Sequence, residues 1–136
     1  MYDTIIIGCG PSGIACAIYL KRAGKNVIIL EKSMVGGQIA LTKQVDNYPG
    51  VKSIDGASLA MQMYDQVVSM GVEVKFEEVI SCNLIGEQKV VNTHKNTYTA
   101  KTVFIGTGAS TRQLNVNGEK QLVGKGISYC ATCDGA

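Results

Sequence analysis

The sequence predicts a three-layer α/β domain, with a parallel sheet carrying helix on one face and a small antiparallel β-meander on the other. Three observations carry this prediction. Short β-branched runs at residues 4–7, 27–30 and 103–105 read as strands buried on both faces, the kind found in parallel sheets. The first two flank a stretch of helical periodicity, which makes a βαβ unit. Between them and the third lie short alternating segments separated by turn residues, the pattern of a meander.

The elements follow in order. Thr4-Ile5-Ile6-Ile7 is the first strand, broken by Gly8-Cys9-Gly10-Pro11-Ser12-Gly13. Ile14, Ala15, Ile18, Leu20 and Ala23 recur at helical spacing, and Gly24 follows as a C-cap. Val27-Ile28-Ile29-Leu30 is the second strand, parallel to the first by the right-handed crossover rule. Residues 31–54 form a long excursion punctuated by Gly36-Gly37-Gln38 and Asn47-Tyr48-Pro49-Gly50, with a short helix expected after Gly37. A helix is predicted over 55–70, capped by Gly71, then a strand over 72–76. Three further strands are predicted over 78–84, 89–93 and 97–105, with turns at Gly86-Glu87 and Lys95-Asn96. The last ends in a second glycine turn, Gly106-Thr107-Gly108-Ala109. Beyond Ser110 regular signals fade, and the stop at Asp134-Gly135-Ala136 reads as a cut terminus.

Composition narrows the function. The 136 residues are 46% hydrophobic and 18% charged, which fits one globular domain with part of another. The net charge of +2 and the lack of a dense basic run argue against nucleic acid. No apolar stretch approaches membrane-span length, and the N-terminus lacks the basic region of a secretory signal. Five cysteines here are expected as thiols in the cytoplasm. Sixteen glycines with two prolines mark tight turns or close backbone approach rather than a linker.

Two motifs carry chemistry. Gly8-x-Gly10-x-x-Gly13 follows a strand and opens a helix, the context a dinucleotide-binding turn requires. Gly8 permits the turn, Gly10 admits a pyrophosphate close to the backbone, and Gly13 lets helix and strand pack closely. The helix N-terminus then offers N–H groups and a positive dipole end to phosphate. Glu31, 18 residues after Gly13, stands where a carboxylate accepts from an adenosine ribose, and it disfavours a 2′-phosphate. FAD and NAD share this fingerprint. The second motif is Cys130-Ala131-Thr132-Cys133. A redox dithiol, a zinc half-site and inert thiols all compete for it. The scattered remaining candidates, Cys9, Cys16, Cys82 and His94, make a poor zinc set, so no metal site is expected. Asp134 is placed to move a proton for a dithiol, or is simply a turn residue. Dinucleotide site and dithiol together suggest an FAD-dependent disulfide reductase.

The ordered series of these motifs, with Gly36-Gly37-Gln38, Asn47-Tyr48-Pro49-Gly50 and Thr107-Gly108-Ala109, resembles the low-molecular-weight thioredoxin reductases, in their N-terminal part only. The resemblance implies an FAD/NAD(P)-binding, Rossmann-like domain over 1–113 that lacks its C-terminal segment. Residues 114–136 would open a pyridine-nucleotide domain. It implies FAD held by Gly8, Gly10, Pro11, Ser12 and Gly13, with Glu31 and Lys32 near the adenosine. Gly37 and Gln38 would line the cofactor, Asn47 would lie near the flavin, and Val79 near the adenine. Thr107, Gly108 and Ala109 would pack against it. Cys130 would attack the thioredoxin disulfide, Cys133 would face the flavin, and Asp134 would be the acid/base. NADPH belongs only to the complete protein, which is expected to be a homodimer with thioredoxin as partner. A reductase fed by ferredoxin, and a stand-alone flavin-binding module without turnover, are the alternatives.

Overall fold

The computed structural model describes residues 1–130. Among them, six strands form one sheet in the order β3-β2-β1-β6-β5-β4. β1 (Tyr2–Ile7) pairs in parallel with β2 (Val27–Glu31) and with β6 (Thr97–Ile105), and β2 pairs in parallel with β3 (Glu73–Phe76). β5 (Lys89–Thr93) and β4 (Val79–Asn83) extend the sheet as antiparallel strands.

The nine-residue β6 belongs to two structures at once. Thr97 through Ala100 pair with β5, and Ala100 through Ile105 run alongside β1. Ala100 is fully buried at the changeover. Hydrogen bonding therefore links meander and parallel sheet into one sheet. Packing still separates them into layers. On one face, Ile6, Ile29 and Val27 contact Ile14 and Ala17 of α1 (Pro11–Arg22) and Val67 of α2 (Gly56–Ser69). On the other, Val79 and Val91 of the meander pack with Ile5, Ile28 and Leu30. The β-branched side chains of β1 and β2 are thus covered from both sides, as their continuous apolar runs required.

The helices start and stop for identifiable reasons. α1 has Pro at its first position, where no intrahelical N–H is needed. It ends where Gly24, at φ +71°, lets Lys25 N–H reach Leu20 O at 3.0 Å. The Asp55 carboxylate caps α2 by accepting from Ser58 N–H at 2.9 Å. Between β2 and α2, a 3₁₀ helix at Gly37–Leu41 fills the long excursion. α2 can approach it closely only because Gly56 lacks a Cβ, which would lie 1.9 Å from Ile39 O.

After Ile105 the chain is mostly exposed coil. The sequence offered no element here, yet a four-residue helix, α3 (Glu119–Leu122), forms. The buried Glu119 carboxylate secures it, accepting from Leu114 N–H at 2.8 Å and Asn115 N–H at 2.7 Å.

Candidate functional site

Register places Ile7 opposite both Leu30 and Ile105. Three strand ends therefore coincide at one edge of the sheet: the Gly8 turn, Glu31 and the Gly106 turn. From β1 the chain winds outward to β2 and β3, then returns to β6 on the other side. That reversal between β1 and β6 opens a crevice at the carboxyl ends of the strands, where open α/β sheets take ligands. A cleft of about 580 Å³ occupies this place.

Its floor is the first glycine turn. Gly8 has φ +104°, and a Cβ there would meet Gly106 O at 2.3 Å. A Cβ on Gly13 would lie 2.0 Å from Gly8 O. Both glycines are enforced by backbone crowding. Gly10 differs: nothing lies within 4 Å of its Cβ position, and the residue lines the cleft. Its missing side chain leaves room for a ligand rather than for the protein. α1 opens at Gly10 with no side-chain cap and no acidic residue in its first turn. The N–H groups of Ser12 and Gly13 therefore have no intrahelical acceptor, and the helix dipole at this end favours negative charge.

Glu31 closes one wall. It is only 8% exposed. One carboxylate oxygen accepts from Cys9 N–H at 2.7 Å, and the other accepts from Ser33 N–H at 2.9 Å. Each oxygen keeps lone-pair capacity for a ribose hydroxyl. The Cys9 thiol is fully buried beside it, and burial, aided by the Glu31 charge, pushes it up to about 12. Cys9 is thus a protonated, unreactive thiol at neutral pH. On the opposite side, Gln38 Nε2 donates to Ala109 O at 3.0 Å and ties the 3₁₀ helix to the second glycine turn.

The cleft brings together Gly8, Gly10, Pro11, Ser12, Glu31, Lys32, Gly37, Gln38, Thr107, Gly108 and Ala109. Gly13 lies beneath it as a packing residue. Asn47 is exposed and Val79 packs in the second-face core, and neither lines the cleft. Cys130 is half-buried, disulfide-bonded and absent from the lining. Cys133 and Asp134 lie outside the described residues. Sequence reading missed Ser33, Met34, Ile39, Leu41, Gly106 and Ser110, which also line the cleft. Leu41 and Met34 are 67% and 48% exposed, and their one sequence signal was being apolar residues that flank a glycine pair. Their exposure gives the cleft an apolar wall of the kind cofactor sites use.

Among the described residues, no group of three or more His, Cys, Asp or Glu could hold a metal ion, and no helix is long and apolar enough to cross a membrane.

A cleft at the carboxyl ends of the strands, with an uncapped helix start, a buried carboxylate one strand away and an apolar wall, defines a dinucleotide-binding α/β domain. The comparisons agree: residues 2–136 match the pyridine nucleotide-disulphide oxidoreductase family, and the chain belongs to it. It is 48% identical over 135 residues to a thioredoxin reductase from Ureaplasma parvum serovar 3, covering 99% of this chain and 44% of that protein. The structure superposes on the crystal structure of thioredoxin reductase from Streptococcus pyogenes MGAS5005 with a TM-score of 0.91 at 45% identity, covering 100% of this chain and 44% of that one. A ferredoxin-flavin thioredoxin reductase from Clostridium acetobutylicum gives a TM-score of 0.74 at 32% identity, covering 98% and 46%. The chain thus spans less than half the length of these relatives.

Proposed function

We propose that this chain carries the FAD-binding portion and the reactive dithiol of a thioredoxin reductase. Electrons would pass from a reduced nicotinamide via FAD to Cys130 and Cys133, and on to thioredoxin. The observation that carries the reading is the cleft at the β1/β6 switch point, with the Gly10 gap, the open α1 N-terminus and Glu31 around it, in a chain that also holds a disulfide-bonded Cys130.

FAD, when bound, supplies two-electron chemistry to a dithiol. The chain's own residues do the rest. Ser12 and Gly13 N–H groups take the pyrophosphate, and the Gly10 gap lets it approach. Glu31 accepts from the adenosine ribose, with Lys32 beside it. Gly37, Gln38, Thr107, Gly108 and Ala109 wall the remainder. Asn47 and Val79 stand apart from the cleft, and their roles near flavin and adenine rest on the family resemblance alone. In the reduced pair, Cys130 attacks one sulfur of the thioredoxin disulfide, forming a mixed disulfide and releasing a thiolate. Cys133 then attacks Cys130, so the pair is oxidised and thioredoxin leaves as a dithiol. Asp134 gives or takes the proton. We place the activity in the cytoplasm, in a homodimer of the whole protein, with neither nucleic acid nor membrane as partner.

The test is to titrate FAD into the chain and into the full-length protein and follow flavin fluorescence; binding weaker in the chain than in the whole protein is expected, and no binding by either would overturn the cofactor assignment. Full-length protein is then assayed for thioredoxin reduction with NADPH and with reduced ferredoxin, beside Cys130→Ser. Loss of activity in Cys130→Ser supports the dithiol role. The Clostridium relative gives the ferredoxin donor a specific precedent, and activity with ferredoxin alone would replace NADPH in this reading. Flavin binding with no activity from either donor would leave a stand-alone flavin module.

A further inference from the structure

Glu31 makes contacts that a ribose acceptor need not make. Its two oxygens are already engaged, one with Cys9 N–H inside the glycine turn and one with Ser33 N–H beyond the end of β2. Cys9 lies between Gly8 and Gly10, and its N–H belongs to the Gly8–Cys9 peptide, so holding it fixes that plane. The bond is short, charge-assisted and buried, the class of hydrogen bond that contributes most. Gly8 at φ +104° and Gly10 carry no side chain to hold this turn, and no side chain caps α1. The carboxylate from the neighbouring strand supplies a restraint where the turn's own sequence supplies none. Cys9 O completes a second tie, accepting from Gly36 N–H at 2.8 Å.

We propose that Glu31 is a positioning residue: it holds the turn at residues 8–10 in its ligand-competent shape before any ligand arrives, by clamping the Cys9 and Ser33 N–H groups with one carboxylate. Ribose binding then uses the lone pairs that remain, so one buried side chain couples the order of the turn to the capture of adenosine. This goes beyond the ribose contact of the proposed function and does not depend on FAD.

The experiment is residue-resolved amide hydrogen exchange on the ligand-free 136-residue chain, wild type and Glu31→Gln. The amide is isosteric and still offers one acceptor oxygen, but its nitrogen cannot accept the second N–H. Exchange at Cys9 or Ser33 is expected to accelerate about tenfold or more, the size of one lost charge-assisted bond. Amides of Ile5 and Ile29, deep in β1 and β2, should not change. Unchanged exchange at both Cys9 and Ser33 would overturn the clamp and leave Glu31 a ribose ligand only. Uniform acceleration across Ile5 and Ile29 would also overturn it, because Glu31 would then act on global stability. A Glu31→Asp variant provides a further check: its shorter side chain retains the charge but spans less far, so at least one of the two amides should remain unprotected. FAD titration of wild type is run separately. Failure there removes the proposed function and leaves the clamp standing.

Discussion

The glycine turns at residues 8–10 and 106–108 leave adjacent parallel strands at the same edge of the sheet. Both follow apolar β-branched strands, and both contribute to the cleft. They differ in what comes next. The first runs directly into the twelve-residue α1, whose uncapped N-terminus gives an anion site. The second runs into exposed coil and offers only a wall, fastened to Gln38 by a single hydrogen bond. They also differ in crowding. Gly8 and Gly13 are hemmed in by backbone, whereas a Cβ on Gly106 would meet chiefly the Phe104 ring, at 2.9 Å, and one on Gly108 nothing within 4 Å. A glycine turn after a strand is thus not a function in itself. The helix that follows, and the neighbour that clamps it, decide what it binds.

The comparison breaks most visibly at Gly8. Gly8→Ala forces a Cβ to within 2.3 Å of Gly106 O at φ +104°, so the two turns must separate. A loss of about 3 kcal/mol or more is expected, with loss of flavin binding. Gly108→Ala, also at positive φ (+68°) but in open space, should cost only about 1 kcal/mol. Denaturant unfolding of both variants checks this, and equal costs would show that the two turns are equivalent after all. Gly10→Ala sharpens the contrast from the ligand's side. Stability should stay within about 0.5 kcal/mol of wild type, because the new methyl meets no protein atom. Affinity for FAD should fall by about tenfold or more, because that methyl stands where the pyrophosphate approaches. Calorimetric titration measures the second effect and thermal unfolding the first.

These differences also explain how much could be read from the sequence. The parallel core was legible because β1 and β2 are unbroken β-branched runs that only burial on both faces can satisfy. The helix C-termini were legible because Gly24 and Gly71 are local signals with a local mechanism. At the cleft, Gly8, Gly10, Gly13 and Glu31 were legible because a phosphate turn dictates residue types at fixed spacing. The double engagement of Glu31 was not, because its partners are backbone N–H groups, which any sequence supplies. Ser33, Met34 and Leu41 were missed for a related reason: a cleft wall requires only apolar or small side chains near the right strand ends. The dual membership of β6 was hidden too, because a strand's change of partner at Ala100 leaves no mark on its periodicity.

The next effect is smaller and depends on pH. The buried Cys9 thiol titrates at about 12 in the folded chain against an ordinary value of 9.0. Below pH 9 it is protonated in both states, and its contribution to stability is fully present. Between pH 9 and about 12 only the unfolded chain ionises, so stability falls as pH rises, by at most about 1.4 kcal/mol per pH unit. Cys9→Ala should remove that slope from unfolding measured between pH 8 and 10.5. An unchanged slope would mean that the turn opens enough to hydrate the thiol.

The smallest effect belongs to the second turn. Gln38→Ala deletes an exposed neutral hydrogen bond to Ala109 O, a class of interaction that contributes about 1 kcal/mol at most. Global stability should barely move. Amide exchange in the 106–110 turn should rise instead, since that bond is the side-chain tie the turn has to the 3₁₀ helix. Exchange at Cys9, held by Glu31 on the other side of the cleft, should be unaffected. If it accelerated as well, the two walls would be coupled through the glycine turn, and the separation between a clamped floor and a loosely tied wall would fail.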